Sequence, residues 1–567
     1  AEDLLRDSRS YVRGEALLRR CMRLTPEEPT PYRDLGLLRL RQRRPEAGRA
    51  LLRFAACLEG PDGTSASLYV SACQQAGVLG DALAFLRARF ERLGRRFAGP
   101  AQALYQALDS HGRTDEALAV LDEALVWRPD DGELLLFTAR ACASFGQTER
   151  ARQLLERARG HASDAAWQGF AAHLDVLAGE LAAARARHEL VLAANPLAIA
   201  ALRSLASLDA ALDGPSAALA RIDAAAARFP HHATLARLRV EWTPPEAEAG
   251  VAVVRTYHAV APDELDGACE LAHRLGRRGD LAEAQALVDQ LLARAPNAAI
   301  VHKIQAELAS WRGDSEAATA SLRAALHADI DSPAQVLMLV RGATTDAARE
   351  AATAHLRAEL RRQISDGSGL AAYRVVATHI DTPEQILALL EERREAQPEL
   401  LAAWTETARQ LASMRRQDAA LAIATEAASR FPLQAEAHTA RAELLAMGTP
   451  DAARREAQIA ALAAAVALAP GAPSPYIALA EALAHADQGV RAVDLLTQAI
   501  RRDPLNADLH VALAGVLWGR HEHHAAILRL LLALEVDPAD ADRWQQLATM
   551  AAQTGEQALV RAAAGRL

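Results

Sequence analysis

The sequence predicts an all-α fold, a solenoid of about sixteen helical hairpins following one another along the 567-residue chain. Three observations predict it. First, Pro470–Pro538 divides at Pro504 into two lines of 34 residues that carry the same chemistry at the same offsets. Leu479-Ala480 becomes Leu513-Ala514, Ala492 becomes Ala526, Ala499 becomes Ala533, and each line closes on Asp-Pro. Second, each line holds two segments of helical length with apolar residues at i, i+3 and i+4, so each segment has one stripe to bury. Third, Ala, Leu, Arg and Glu, all strong helix formers, dominate the composition, and aromatics are 4% of residues, too few for several large globular cores or a β-rich fold.

Each recurring residue has a physical task. Ala480, Ala492 and Ala499 belong where two helices cross closely, because a larger side chain would hold them apart. The closing proline cannot continue a helix and disfavours helical geometry for the residue before it, so Pro504 stops one hairpin and Asp508 is placed to help start the next. One hairpin cannot cover its own apolar face, and stacking neighbours does.

The closing proline serves as a ruler for the rest of the chain. Pro26 follows the tail of a first unit that includes Leu17, Leu18 and Leu24. The next has Tyr32 and Leu35-Gly36 and closes at Gly60-Pro61. Residues 61–97 are degenerate: Leu68, Ala72, Leu79 and Ala82 are in place but no proline closes them. Good units follow through Gly112, Ala117 and Pro129, then Phe145-Gly146, Ala151 and Ala158, then Gly179, Ala184 and Pro196, then Leu205-Ala206, Ala218 and Pro230. Gly112, Gly146, Gly179 and Gly313 fall between the two helices of a unit, where glycine stops the first helix at little cost. Pro230 to Pro262 is 32 residues and contains Trp242-Thr243-Pro244-Pro245, an irregular turn. Pro296 restores 34. Residues 331–397 are again degenerate, yet Pro296 to Pro398 is three times 34, so three units fit, with ends near Ile330 and Ile364 and a helix start at Asp381-Thr382-Pro383-Glu384. Pro398 to Pro432 is 34, and Pro432 to Pro470 is 38, with about four residues added near Gly448-Thr449-Pro450-Asp451. The last unit holds Trp544, Leu547-Ala548 and Gly555, and its second helix is expected to cap the array.

The aromatic or Leu with Leu-Gly/Ala on the first helix, the two Ala on the second and the closing Pro resemble the tetratricopeptide repeat. The resemblance spans nearly the whole chain and is strongest at 98–300 and 398–550. It implies a right-handed superhelix. We read residues 1–240 and 251–567 as N- and C-terminal arrays of one continuous superhelix, with a joint at 241–250. It also implies that first helices line a concave groove. Counting back from each closing residue, the groove-facing candidates for binding a peptide or protein are Gln106, Arg140, His173, Arg203, His273, Lys303, Glu307, Arg409 and Glu481. The set is mixed in sign and lacks a repeated ladder of one residue type. Tyr32, Trp404 and Trp544 take the large first-helix position and are read as packing, whereas Trp311 and Trp518 lie near first-helix ends, where they could anchor a peptide.

Several function classes are disfavoured. The net charge of −9, from 72 acidic and 63 basic residues, argues against a nucleic-acid-binding face. The basic residues are arginines except Lys303, so the P-loop lysine is missing along with its motif. There is no G-x-G-x-x-G, G-x-S-x-G or C-x-x-C, and Gly367–Ala372 fits only a looser nucleotide pattern with no strand before it. His521-Glu522-His523-His524 misses the H-E-x-x-H spacing by one position and falls in the turn of a unit, so it reads as solvated, as does His231-His232. No cofactor, metal or catalytic residue is expected. Cys21, Cys57, Cys73, Cys142 and Cys269 are scattered and odd in number, which is neither a disulfide framework nor a zinc site. The cytoplasm is the expected compartment, with the periplasm as the alternative because the sequence opens on Ala rather than Met. No apolar run reaches the roughly 18 to 20 residues of a membrane span. The expected function is a non-enzymatic scaffold that binds a protein or peptide partner in the groove. The alternative is a substrate-presenting or assembly arm of a larger complex, since such arrays occur joined to glycosyltransferases, transglutaminase-like modules and exopolysaccharide export machinery. A hidden helical enzyme using the His521–His524 cluster is the third reading.

Overall fold

In the computed structural model of the chain, the described residues are 11–42, 44–59, 63–76, 78–244, 249–363, 365–448 and 451–566. Among them are 33 helices and no strand. Tyr11–Leu24 stands first, and the others pair into sixteen hairpins, from Pro29–Arg41 with Pro45–Leu58 to Ala541–Thr554 with Gln557–Ala564. The fold is an all-α solenoid, as expected. Both degenerate stretches form complete hairpins: Thr64–Gln75 with Leu79–Leu93, Pro333–Arg341 with Asp346–Arg362, and Ser368–Ala377 with Pro383–Ala396. The expected closes at Gly60-Pro61 and Ile364, and Thr449-Pro450 of the expected insertion, lie outside the described residues. The rest of that insertion is visible as a second helix lengthened to 17 residues, Ala452–Leu468.

The chain separates into two compact units, residues 1–138 with 254–410 and residues 139–253 with 411–567. In the second unit the small residues sit as the sequence requires: Ala480, Ala492, Ala514 and Ala526 have no accessible surface, and Leu479, Leu496, Leu513 and Leu530 pack around them. In the first unit the core runs through Leu326, Leu356, Leu360, Tyr373 and Leu389, which accounts for residues 331–397 despite their weak pattern. There the closing proline is replaced by side-chain bonds. Asp331 accepts hydrogen bonds from Ser365 Oγ (2.7 Å) and from the Asp366 and Gly369 amides (2.6 and 2.9 Å), which secures the start of Ser368–Ala377. Gln363 Nε2 donates to Leu326 O (2.7 Å), and Gln363 Oε1 accepts from the Ile330 amide (3.0 Å).

Other starts and stops follow local chemistry. The expected start at Asp381–Glu384 is a capping box: Thr382 accepts from the Gln385 amide and Gln385 reaches back to the Thr382 amide. At the unit after Pro504 the cap is Asn506, which accepts from the Leu509 amide, while Asp508 sits in the first turn and pairs with Arg543 at 2.8 Å. The joint expected at 241–250 includes residues 245–248, outside the described set. Of its described residues, Thr243, Pro244 and Ala249 lie between the two helices of one hairpin, Ala233–Trp242 and Gly250–Val260.

In nine of the hairpins, among the described residues, the inter-helix turn uses one left-handed residue. Gly112, Gly146, Gly179, Gly279, Gly313 and Gly555 supply it, with φ between 69° and 90°. Where glycine is missing at this register, Arg415 (60°), Asp487 (56°) and His521 (64°) take the same conformation. His521 therefore owes its place to backbone register, and no group of three His, Cys, Asp or Glu among the described residues is placed to hold a metal. At Gly146 the space is also closed, because a Cβ would lie 1.7 Å from Ala467 O within the same unit.

A second device ties six of the hairpins to the one before. Six residues after a closing proline, a ring with an N–H or O–H donates to that proline's carbonyl: Trp404 to Pro398 (2.9 Å), Trp544 to Pro538 (2.8 Å) and Tyr476 to Pro470 (3.3 Å). His302, His438 and His510 do the same through Nε2 to Pro296, Pro432 and Pro504 at 2.8, 2.9 and 3.0 Å. The carbonyl is an acceptor only, so Nε2 carries the proton in these rings. The packing role expected for Trp404 and Trp544 is thus joined by a hydrogen bond.

Two outcomes follow. Gly146→Ala should lower stability by about 3 kcal/mol through left-handed strain and backbone overlap, while His521→Gly should raise it by about 1 kcal/mol; urea denaturation of both variants checks the pair, and a neutral Gly146→Ala contradicts the packing described. Trp404→Phe keeps the ring but loses the donor and should cost about 1 kcal/mol, against about 4 kcal/mol for Trp404→Ala; equal losses in the two variants would assign the effect to packing alone.

Candidate functional site

First helices are flanked on both sides. Leu265–Arg277 packs on its own second helix, Leu281–Arg294, and on the next first helix, Ala299–Trp311; Pro473–His485 does likewise with Gly489–Arg502 and Ala507–Gly519. In a helix, residues i−1 and i+1 lie about 100° to either side of i. Burying both flanks therefore leaves a narrow accessible strip between them.

Seven of the nine candidates occupy that strip. Gln106, Arg140, His173, His273, Glu307, Arg409 and Glu481 each stand six residues before the left-handed turn residue of their hairpin. Each is accessible, and each has a buried residue immediately before and after it, such as Ala139 and Ala141 around Arg140, or Ala480 and Ala482 around Glu481. Arg203 and Lys303 stand four residues earlier, one helical turn along the same face. Two occupants of the strip were missed. Ser207 lies 34 residues after His173, and Gly515 lies 34 after Glu481; both are accessible between buried neighbours. Counting 34 forward would have found them, but neither side chain looks like a binding group.

The units hold different groupings. In the first, His273 Nδ1 lies 2.7 Å from Glu307 Oε2, and Lys303 Nζ lies 4.0 Å from Glu307 Oε1. Trp311, 40% exposed, stands 5.6 Å from the His273 ring. Its indole rests over Gly276, where a Cβ would come within 2.2 Å of Cζ3. Four residues read separately in the sequence thus form one patch of acid, cation and aromatic. Arg409 belongs to another group in the same unit, in which Arg409 and Arg374 both donate to the buried Glu406 carboxylate. One carboxylate shared by two guanidinium groups keeps a net positive charge, and the burial makes the pairing specific. Glu406 and Arg374 gave no sequence signal, because they are distant in the chain and off the repeat pattern.

In the second unit the Arg140 guanidinium lies 5.9 Å from the Phe170 ring centre, and Phe170 stacks on His173 at 6.0 Å. Loss of water around His173, and then the Arg140 charge, lower the pKa of this ring below its ordinary 6.5. The ring is accessible at its edge but crowded by its neighbours, as expected for a side chain between two walls. Arg203 pairs with Glu241 at 3.3 Å and does not join Arg140. Trp518, expected near a first-helix end, packs on His523 at 4.4 Å.

Residues 110–174 match the family model described as tetratricopeptide repeat. The turn residue of that segment recurs at Gly179, Gly279, Gly313, Arg415, Asp487, His521 and Gly555. The chain is an all-α solenoid that carries tetratricopeptide repeats at residues 110–174. Solenoids of this type are generally non-catalytic and bind protein partners. Among solved structures, the chain resembles yeast Tom70 (TM-score 0.37, 14% identity, covering 75% of this chain and 96% of that one). It also resembles the APC/C hetero-tetramer Cut9-Hcn1 (0.29, 11%, 93% and 98%) and TTC0263, a tetratricopeptide-repeat protein of Thermus thermophilus (0.28, 18%, 33% and 98%). No curated protein sequence matches the chain. No helix among the described residues is long and apolar enough to cross a membrane.

The Arg140–His173 coupling gives a direct check. In Arg140→Gln, the His173 pKa should rise but stay below 6.5, because desolvation, the larger cause, remains; NMR titration of the ring measures it, and an unmoved value would separate the two residues.

Proposed function

We propose that this solenoid is a non-enzymatic scaffold that binds a protein or peptide partner along the accessible strip of its first helices. The observation that carries the proposal is the strip itself. At one register, polar side chains stand alone between two buried neighbours, hairpin after hairpin. Such a surface offers a fixed row of hydrogen-bonding and charged groups on rigid helices, with little side-chain or backbone ordering left to oppose binding. A row of this kind suits an extended segment, which presents its own groups at regular intervals.

The mixed signs along the strip bear on specificity. Glu307, held against His273 and Lys303, gives one part of the first unit an acidic oxygen with a nearby aromatic, Trp311. Arg140 over Phe170 gives the second unit a cationic edge. A partner that fits one patch with the wrong charge leaves a desolvated group unpaired, which is how such rows discriminate.

The test compares faces of the same hairpins. Arg140→Glu with His173→Glu should weaken binding of the partner by about tenfold or more, whereas Arg152→Glu with Arg159→Glu, on exposed positions of a second helix and its end, should leave it within about twofold. Equal weakening by both pairs, measured by titration with the purified partner, would refute the assignment to the first-helix strip.

A further inference from the structure

A cavity of about 640 Å³ lies within the first compact unit, walled by residues of 74–111 and of 331–400. It stands apart from the strip, and three of its lining residues hold a buried polar atom with no hydrogen-bond partner: Nε2 of His111, Nε of Arg393 and Oε1 of Gln397. Buried polar atoms are almost always satisfied, so three orphans lining one cavity need an explanation. His111 and Arg393 are 5% and 9% exposed.

Four of the other lining charges are committed within the fold. Arg361 pairs with Glu392 (2.9 Å), and Arg362 pairs with Glu359 (Nε to Oε2, 2.7 Å). Asp331 spends its oxygens on Ser365 and on the Asp366 and Gly369 amides, and Asp366 accepts from the Ser368 amide. Arg393 differs. Its Nη1 donates only to main-chain carbonyls, Leu360 O at 2.9 Å and Arg361 O at 3.2 Å. No carboxylate of the described residues is seen to pair with it, and burial pushes its pKa below the ordinary arginine value. A buried guanidinium without a counter-ion is an anion receptor in waiting.

The other two orphans define what accompanies the anion. His111 Nδ1 lies 2.6 Å from Ala107 O, an acceptor, so that nitrogen carries the proton and Nε2 of the neutral ring is an acceptor. Gln397 Oε1 is an acceptor as well. The cavity therefore asks for one negative group beside one or two N–H donors. With Asp331, Asp366 and Glu399 also in the lining, a dianion such as phosphate is disfavoured against a monoanion.

We infer that this cavity binds a carboxylate with an adjacent amide N–H, the chemistry shared by a peptide C-terminus and an N-acylated amino acid, with the carboxylate on Arg393 and the N–H on Gln397 and His111. The inference does not rest on the first-helix strip, since none of the three residues stands at that register.

Titration calorimetry of the whole chain with N-acetyl-alanyl-alanine, its C-terminal amide and N-acetyl-alanine tests it. The acid should bind saturably and the amide about tenfold or more weaker. N-acetyl-alanine binding as tightly as the dipeptide assigns the site to small acids, and tighter dipeptide binding assigns it to chain termini. Arg393→Gln should abolish binding. Because Arg393 also holds the Leu360 and Arg361 carbonyls, Gln397→Leu is the companion variant: its orphaned Oε1 has no bond within the fold to lose, so melting should be unchanged while affinity falls about fivefold. Equal binding of acid and amide, binding of neither at about 10 mM, or unchanged affinity in Gln397→Leu overturns the inference.

Discussion

The structure depends on the close crossing of helices at alanine. A hairpin has too little apolar surface to shield both flanks of its first helix, so the second flank must be covered by the next hairpin. That covering requires backbones to approach, and Ala480, Ala492, Ala514 and Ala526, all without accessible surface, are where they do. Each hairpin is in this way the missing wall of its neighbour. Burial of both flanks is also what leaves the narrow row of accessible polar residues, so stability and the binding surface come from the same packing.

The turns show how a register survives loss of its favoured residue. Arg415, Asp487 and His521 hold left-handed backbone where other hairpins use glycine, at some cost in local strain. The stretch 331–397 shows the same for the closing proline. Asp331 and Gln363 secure helix ends there by side-chain hydrogen bonds, and the core of Leu356, Tyr373 and Leu389 is as buried as any other. Packing sets the period, and several different local devices can serve it.

The polar groups fall into two kinds. Some serve the fold: the rings on the closing-proline carbonyls, the box at Thr382, and the carboxylate of Glu359, which collects His327, Arg362 and Gln363. Others face outward in the strip or into the cavity at His111, Arg393 and Gln397. The ring on the carbonyl was legible in principle as a ring-bearing residue six positions after six of the closing prolines, yet treating Trp404 and Trp544 only as large apolar groups passes over their N–H donors. The cavity had no such sign, because its walls come from segments more than 200 residues apart in the chain.

The sequence by itself determined the class of fold, the 34-residue spacing, the turn positions and the face on which Gln106, Arg140, His173 and Glu481 lie. Those are matters of local periodicity, and a helix converts spacing into direction without help from the rest of the chain. Only the tertiary structure decided which groups meet: His273 with Glu307 and Trp311, Arg140 with Phe170 and His173, Arg374 and Arg409 on Glu406, and the three orphaned atoms of the cavity. Such meetings depend on how neighbouring helices are offset and on which surfaces of the unit close on one another, and no period along the chain records either.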